Sequence, residues 1–147
     1  EVSAGWYWQF NRKQGFKHDG TIRTPNLTWI SSVGGNDDWQ SSNDPCNLLL
    51  GNNWRMPTKL EWISSNTNGS WFNYYDTFES VLNIHASGLL YSEDASLSRR
   101  GSWGVYWSSS SYGTSLGWNL YIDIAQSGIS SGGNLKANAF TIRCLRD

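Results

Sequence analysis

The chain opens on a run of large rings, Trp6, Tyr7, Trp8 and Phe10 around Gln9, which reads as a β-strand near the N-terminus. Periodicity is then lost over residues 11–53. Gly15, Asp19-Gly20, Gly34-Gly35-Asn36-Asp37-Asp38 and Ser41-Ser42-Asn43-Asp44-Pro45 punctuate a segment that reads as mostly loop. So long an excursion in a compact domain needs anchoring or a function, and Trp29 and Trp39 are the candidate anchors. The clearest local signal follows at 54–62, where Pro57 stops a short strand and Thr58 with Glu61 forms a capping box. A helix of about two turns is expected from Thr58 to Ser65, with Leu60 and Trp62 turned to the core. A second short helix is expected from Asp76 to Asn83.

The second half reads as strands: Ile84 to Tyr91, Gly104 to Ser108, Gly117 to Ile124 and Phe140 to Leu145, divided by Ser/Gly/Asn loops. In the third of these, period two places Trp118, Leu120, Ile122 and Ile124 on an apolar face and Asn119, Tyr121 and Asp123 on the other. No repeat of fixed period is visible, which argues against a solenoid or propeller.

Composition changes the picture in one respect. Among 147 residues are 10 Trp, 7 Tyr and 5 Phe, with many Ser, Asn and 15 Gly. Tyr and Trp among small polar residues suit a binding surface, as rigid anchors set among adaptable hydrogen-bonding groups. On composition alone, a Gly-rich β protein with Trp as core filler is the plainer reading. The length fits one domain, with roughly two-thirds of the extended-chain surface buried. With 11 Lys+Arg against 12 Asp+Glu, the net charge of -1 excludes a polyanion binder acting through bulk electrostatics, so no nucleic-acid partner is expected. Apolar runs such as Leu48-Leu49-Leu50 are too short to cross a bilayer, and no signal-peptide pattern precedes them. The sequence therefore reads as a mature or excised piece of a larger protein, residues 1–147 forming a single domain without membrane insertion of its own, and its targeting has to be inferred another way.

Candidate catalytic groups are sparse. His85, in Ile84-His85-Ala86, reads as a core histidine rather than a catalytic one, and no Ser sits in a nucleophile-elbow context. No phosphate loop is present. Arg99-Arg100 reads as a solvated turn. Asn36-Asp37-Asp38 offers oxygen ligands suited to calcium, although a turn explains it more simply. The chain is thus expected to be no enzyme, with no cofactor and no metal. Cys46 and Cys144 are the only thiols, and neither they nor His18 and His85 show metal-ligand spacing. They are two unrelated thiols in a reducing compartment, or one bridge in an oxidising one. A bridge would close a loop of about 100 residues, worth on the order of 4–5 kcal/mol in the chain-entropy model, and is the favoured reading.

Taken together, Asn43-Asp44-Pro45-Cys46, Trp54-Arg55-Met56-Pro57-Thr58 leading to Glu61-Trp62, Tyr106-Trp107-Ser108-Ser109-Ser110, Gly117-Trp118 and Ile142-Arg143-Cys144-Leu145-Arg146-Asp147 resemble the Fibrobacter succinogenes major paralogous domain family. That family is common in surface and secreted bacterial proteins, and the resemblance runs from Trp6 to Asp147. It implies an α+β, C-type-lectin-like fold: two short helices, a twisted antiparallel sheet, long loops and adjacent N- and C-terminal strands. It also implies that Cys46 pairs with Cys144, and that Arg55, bonded to backbone carbonyls, Arg143 and Arg146 are structural. The cysteine chemistry of formylglycine-generating enzymes, which share the fold, is not carried over, because both cysteines match the structural bridge. The calcium signatures of sugar-binding C-type lectins are absent as well.

A narrower resemblance, from Tyr106 to Arg143, is to the variable segment of proteins diversified by retroelements. It implies a ligand-binding, adhesin- or receptor-like module, secreted or on the cell surface, for a protein or glycan ligand on another cell or surface. The expected face comprises Tyr106, Ser109, Ser110, Tyr112, Thr114 and Leu116 on one side, with Asn119, Tyr121, Asp123, Asn134 and Asn138 completing it. Trp107, Trp118, Leu120 and Ile122 are assigned to the core beneath. The alternative is a structural scaffold domain with no ligand of its own.

Overall fold

A computed structural model describes residues 5–147. It is an α+β structure of short antiparallel strands and three short helices. Strand β1 (Trp6–Gln9) forms where the ring-rich alternation lies, and pairs with β2 (Gly15–His18), which in turn pairs with β3 (Arg23–Thr24). Helix α1 (Pro45–Leu50), strand β4 (Trp54–Arg55), helix α2 (Lys59–Asn68) and helix α3 (Tyr74–Glu79) follow. Then come β5 (Leu89–Leu90), β6 (Leu97–Ser98), the long hairpin β7 (Gly104–Tyr112) and β8 (Leu116–Ile122), and β9 (Ser127–Ile129). The chain ends in β10 (Asn134–Leu135), β11 (Ala139–Phe140) and β12 (Leu145–Arg146).

One sheet runs β3-β2-β1-β11-β5-β6, so the N-terminal strand pairs directly with a near-C-terminal one, Trp8 opposite Phe140. A second sheet runs β10-β8-β7 with β9 along the far half of β8, and β12 pairs with β4. The β7–β8 hairpin divides the core. Trp107 stacks on Phe140 at 4.1 Å, meets the Phe10 ring edge-on at 5.4 Å and donates its indole N–H to the Trp8 carbonyl at 2.7 Å. On the opposite face Tyr106, Leu120 and Ile122 pack with Trp62, Trp71 and Ile84. Trp62 joins the halves by donating to the Trp107 carbonyl at 3.1 Å. Cys46 and Cys144 form a disulfide, tying α1 to the C-terminal segment.

Several expectations are corrected. The segment 11–53 is mostly loop as expected, but it also holds β2, β3 and α1. Asp44 caps α1 through a bond from the Cys46 N–H, with Pro45 at the first helical position, where its missing N–H costs nothing. Helix α2 begins at the expected capping box but runs on to Asn68, and Leu60 lies exposed while Trp62 is buried. Helix α3 starts two residues earlier than expected because Asn73, with Asp76, forms its own capping box. On β8 the face assignment fails at both ends. Trp118 is half-buried, Ile124 is exposed beyond the strand, and Asn119 is fully buried. Arg55 does reach a backbone carbonyl, that of Met56 at 3.4 Å, but its closer partners are carboxylates: it grips Glu61 through both oxygens at 2.6 and 2.8 Å and meets Asp147 at 2.8 Å. Arg100 is no plain turn residue either, since its guanidinium bonds the Tyr7 hydroxyl and the His18 carbonyl.

Candidate ligand-binding face

The outer half of the β7–β8 hairpin projects past the core. The register slips between Trp107 and Ser111, a bulge that frees the Ser109 backbone for other partners. Ser109 N–H donates to the Pro57 carbonyl and its own carbonyl accepts from Trp39 N–H, both at 2.8 Å. Ser110 Oγ accepts from Lys59 N–H at 3.1 Å, which fixes the start of α2 beside the strand. Beyond the bulge Tyr112 pairs with Leu116 around a turn through Gly113, whose φ of 73° suits glycine.

Two further elements hold this tip. Lys136 is buried, and its ammonium donates to Ser111 Oγ at 2.6 Å, the Gly113 carbonyl at 2.9 Å and the Gly35 carbonyl, using all three protons. Burial pulls its pKa below the ordinary value, while nearby Asp38 and Asp37 act to raise it. The loop through Gly34-Gly35-Asn36-Asp37-Asp38 is thereby pinned to the tip. Asp38 Oδ1 accepts from Ser111 N–H at 2.7 Å, and Asn36 Oδ1 from the Thr114 hydroxyl at 3.0 Å. Among the described residues, no group of three or more His, Cys, Asp or Glu side chains gathers to hold a metal.

Of the residues expected to form the face, Ser110, Tyr112, Thr114 and Leu116 come together at the tip, with Ser109 at its base. Asn134 pairs alongside, opposite Gly117. Tyr112 is 44 % exposed, and its ring lies 4.4 Å from that of Trp118. Tyr121 and Asp123 lie at the other end of β8, roughly 17 Å along the strand. There the Tyr121 hydroxyl donates to Asp123 Oδ2 at 2.7 Å, and its ring packs edge-on against Trp103. Burial and this carboxylate push the Tyr121 pKa upward. Burial also works to raise the Asp123 pKa, but bonds from Tyr121, Ala125 and Gln126 outweigh it and leave it lowered.

Three expected face residues are buried and offer nothing to a ligand. Tyr106 lies in the core with its hydroxyl on the His85 carbonyl at 2.8 Å. Asn119 Oδ1 accepts from Ser130 Oγ and Asn134 Nδ2 at 2.8 and 2.9 Å, cross-linking the loop after β9 to the sheet. Asn138 Oδ1 accepts from Ser92 N–H at 2.9 Å. Small polar side chains were expected outward, and Asn119 and Asn138 point inward because buried backbone and polar side-chain groups need partners.

The structure adds residues that the sequence did not place on the face. Trp118 sits level with the first turn of α2, where Lys59 rather than an apolar residue meets it, its ammonium 3.4 Å above the ring. Leu135, 47 % exposed, pairs with Leu116 across β10 and β8. The tip thus presents Tyr112, Trp118, Leu116 and Leu135 rimmed by Lys59, Ser110, Thr114 and Asn134. The one sequence signal for Lys59 was the capping box that places it at the start of α2. No protein-family profile, curated protein or solved structure matches the chain.

Proposed function

We propose that this chain is a non-catalytic ligand-binding module of a secreted or surface protein, with a C-type-lectin-like fold, that engages a protein or glycan through the β7–β8 tip. The carrying observation is the exposed Tyr112, its ring against the half-buried Trp118, beside Leu116 and Leu135. A protein that used its aromatics only as filler would bury Tyr112 as well. A scaffold domain would gain nothing from fixing such a patch with Lys136, Asp38 and Ser110. Rigid aromatic and aliphatic anchors within a polar rim are the composition of binding hot spots. The pairing of β1 with β11, the disulfide and the long pinned loops support the lectin-like architecture. Diversification by a retroelement fits the same tip, because Ser, Thr, Asn and Tyr occupy its exposed positions.

The test is to screen the domain against arrays of glycans and bacterial surface proteins, alongside the Tyr112→Ala/Trp118→Ala double variant. Binding that falls at least about tenfold in the variant, with folding retained, is the expected result. A ligand held equally well by both forms overturns the reading.

A further inference from the structure

The turn between β1 and β2 separates two clefts, and none of the described residues lining them belongs to the hairpin tip. One cleft, of about 270 Å³, has Trp6, Pro45, Leu48 and Leu49 as walls and Trp8 with Gly15 as floor. A Cβ on Gly15 would come within 2.6 Å of the Trp8 indole, so the glycine is what lets that ring lie flat against β2. The other cleft, of about 400 Å³, is lined on its apolar side by Phe16, Leu27 and Ile30. Lys13 and Gln14 line both, forming a ridge between them, and Arg12 joins Lys13 on the side of the larger cleft. Among the described residues no carboxylate lines either cleft. Among the described residues the ion pairs join Arg55 to Glu61 and Asp147, and none involves Lys13 or Arg12. Trp6 is 40 % and Leu49 71 % exposed, and apolar side chains grouped around a concavity mark an interaction site.

The geometry points to a docking site for an extended acidic peptide segment of another protein, which straddles the Lys13–Gln14 ridge. Its carboxylate meets Lys13 and Arg12, and an apolar side chain enters the cleft on each side. Alternate residues of an extended chain face the same way, so a sequence such as Phe-Ala-Glu-Ala-Leu directs its ring, carboxylate and branched chain toward one surface across roughly 13 Å. Charge complementarity selects an acidic centre. Concavity selects a peptide over a bilayer, since residues that enter lipid project outward whereas the apolar atoms here line hollows with the cations between them.

The experiment titrates the isotope-labelled protein with acetyl-Phe-Ala-Glu-Ala-Leu-amide and follows its amide and indole resonances. Shifts at Trp6, Gly15, Leu49 and Ile30, with none at Tyr112 or Trp118, are expected. The peptide with Gln at its centre binds about threefold more weakly, and Lys13→Glu has at least the same effect on the acidic peptide. Leu49→Ser also weakens binding. Lys13 and Leu49 are both exposed, so Tm stays unchanged in each variant. The proposal is overturned by the absence of shifts at millimolar peptide, or by equal binding of the Gln peptide. It is overturned equally if phosphatidylglycerol vesicles bind through these residues while the peptide does not. Failure at these clefts leaves the hairpin-tip reading untouched, because the two surfaces are read from different resonances.

Discussion

Asp44 and Met56 are joined by a buried bond: Asp44 Oδ2 accepts from the Met56 N–H at 2.9 Å, while Oδ1 caps Cys46 at 2.8 Å. One carboxylate thereby starts α1, sets the half-cystine in place and fastens the strand leading into α2. The Asp-Pro-Cys run is a structural device, each residue filling a position that its chemistry suits.

Replacing Asp44 by Ala removes a helix cap and leaves the Met56 N–H buried without its acceptor. A loss of about 2–4 kcal/mol is expected in urea unfolding. Asp44→Asn, which keeps one oxygen, loses less. Equal losses in the two variants would show that the bond kept by Asn contributes nothing.

Acid sensitivity is expected at Glu61. The bidentate guanidinium of Arg55 holds its carboxyl at about 2, against an ordinary 4.5, with burial working the other way. Because the folded pKa is the lower one, the stabilisation is present above about pH 4.5 and is lost as the pH falls toward 2. Solvent reaches the pair, so Glu61→Gln costs about 1 kcal/mol at pH 7. The gap in Tm between wild type and variant closes across that acid window, and a gap constant with pH would contradict the assignment.

Opening the disulfide frees a loop with a sequence separation of 98 residues. Cys46→Ala/Cys144→Ala, or reduction, is expected to cost about 4–5 kcal/mol, read as a shift in denaturation midpoint with and without reductant.

The division between face and core is tested by three truncations compared in one assay. Trp107→Ala is expected to cost about 3–5 kcal/mol and Asn119→Ala about 1–3 kcal/mol, whereas Tyr112→Ala stays within about 1 kcal/mol. A Tyr112→Ala loss matching that of Trp107→Ala would place Tyr112 in the core.

Lys136→Met keeps the length of the side chain but removes three donors from the carbonyls of Gly35 and Gly113 and the hydroxyl of Ser111. Faster amide exchange confined to residues 34–38 and 111–116 is expected, with a stability loss of about 1–3 kcal/mol. Unchanged exchange there would mean that the Asn36–Thr114 and Asp38–Ser111 bonds suffice.

Local physics made much of the molecule legible in the chain itself. The ring-rich β1, the Thr58–Glu61 capping box, the hairpin strands and the core roles of Trp107, Leu120 and Ile122 all follow from period, capping chemistry and side-chain size. α1 escaped notice because a six-residue helix inside a polar stretch has no detectable period, although Asp44 and Pro45 carried its start signal. Tertiary structure alone decided which small polar residues face inward. Asn119 and Asn138 resemble surface residues in sequence, and only the unpaired groups of distant Ser130, Asn134 and Ser92 draw them inside. The same holds for Trp118, which has the period of a core residue but lies where the cover of α2 ends at Lys59. Alternation along a strand fixes which face a side chain takes, whereas what lies over that face depends on elements remote in the chain.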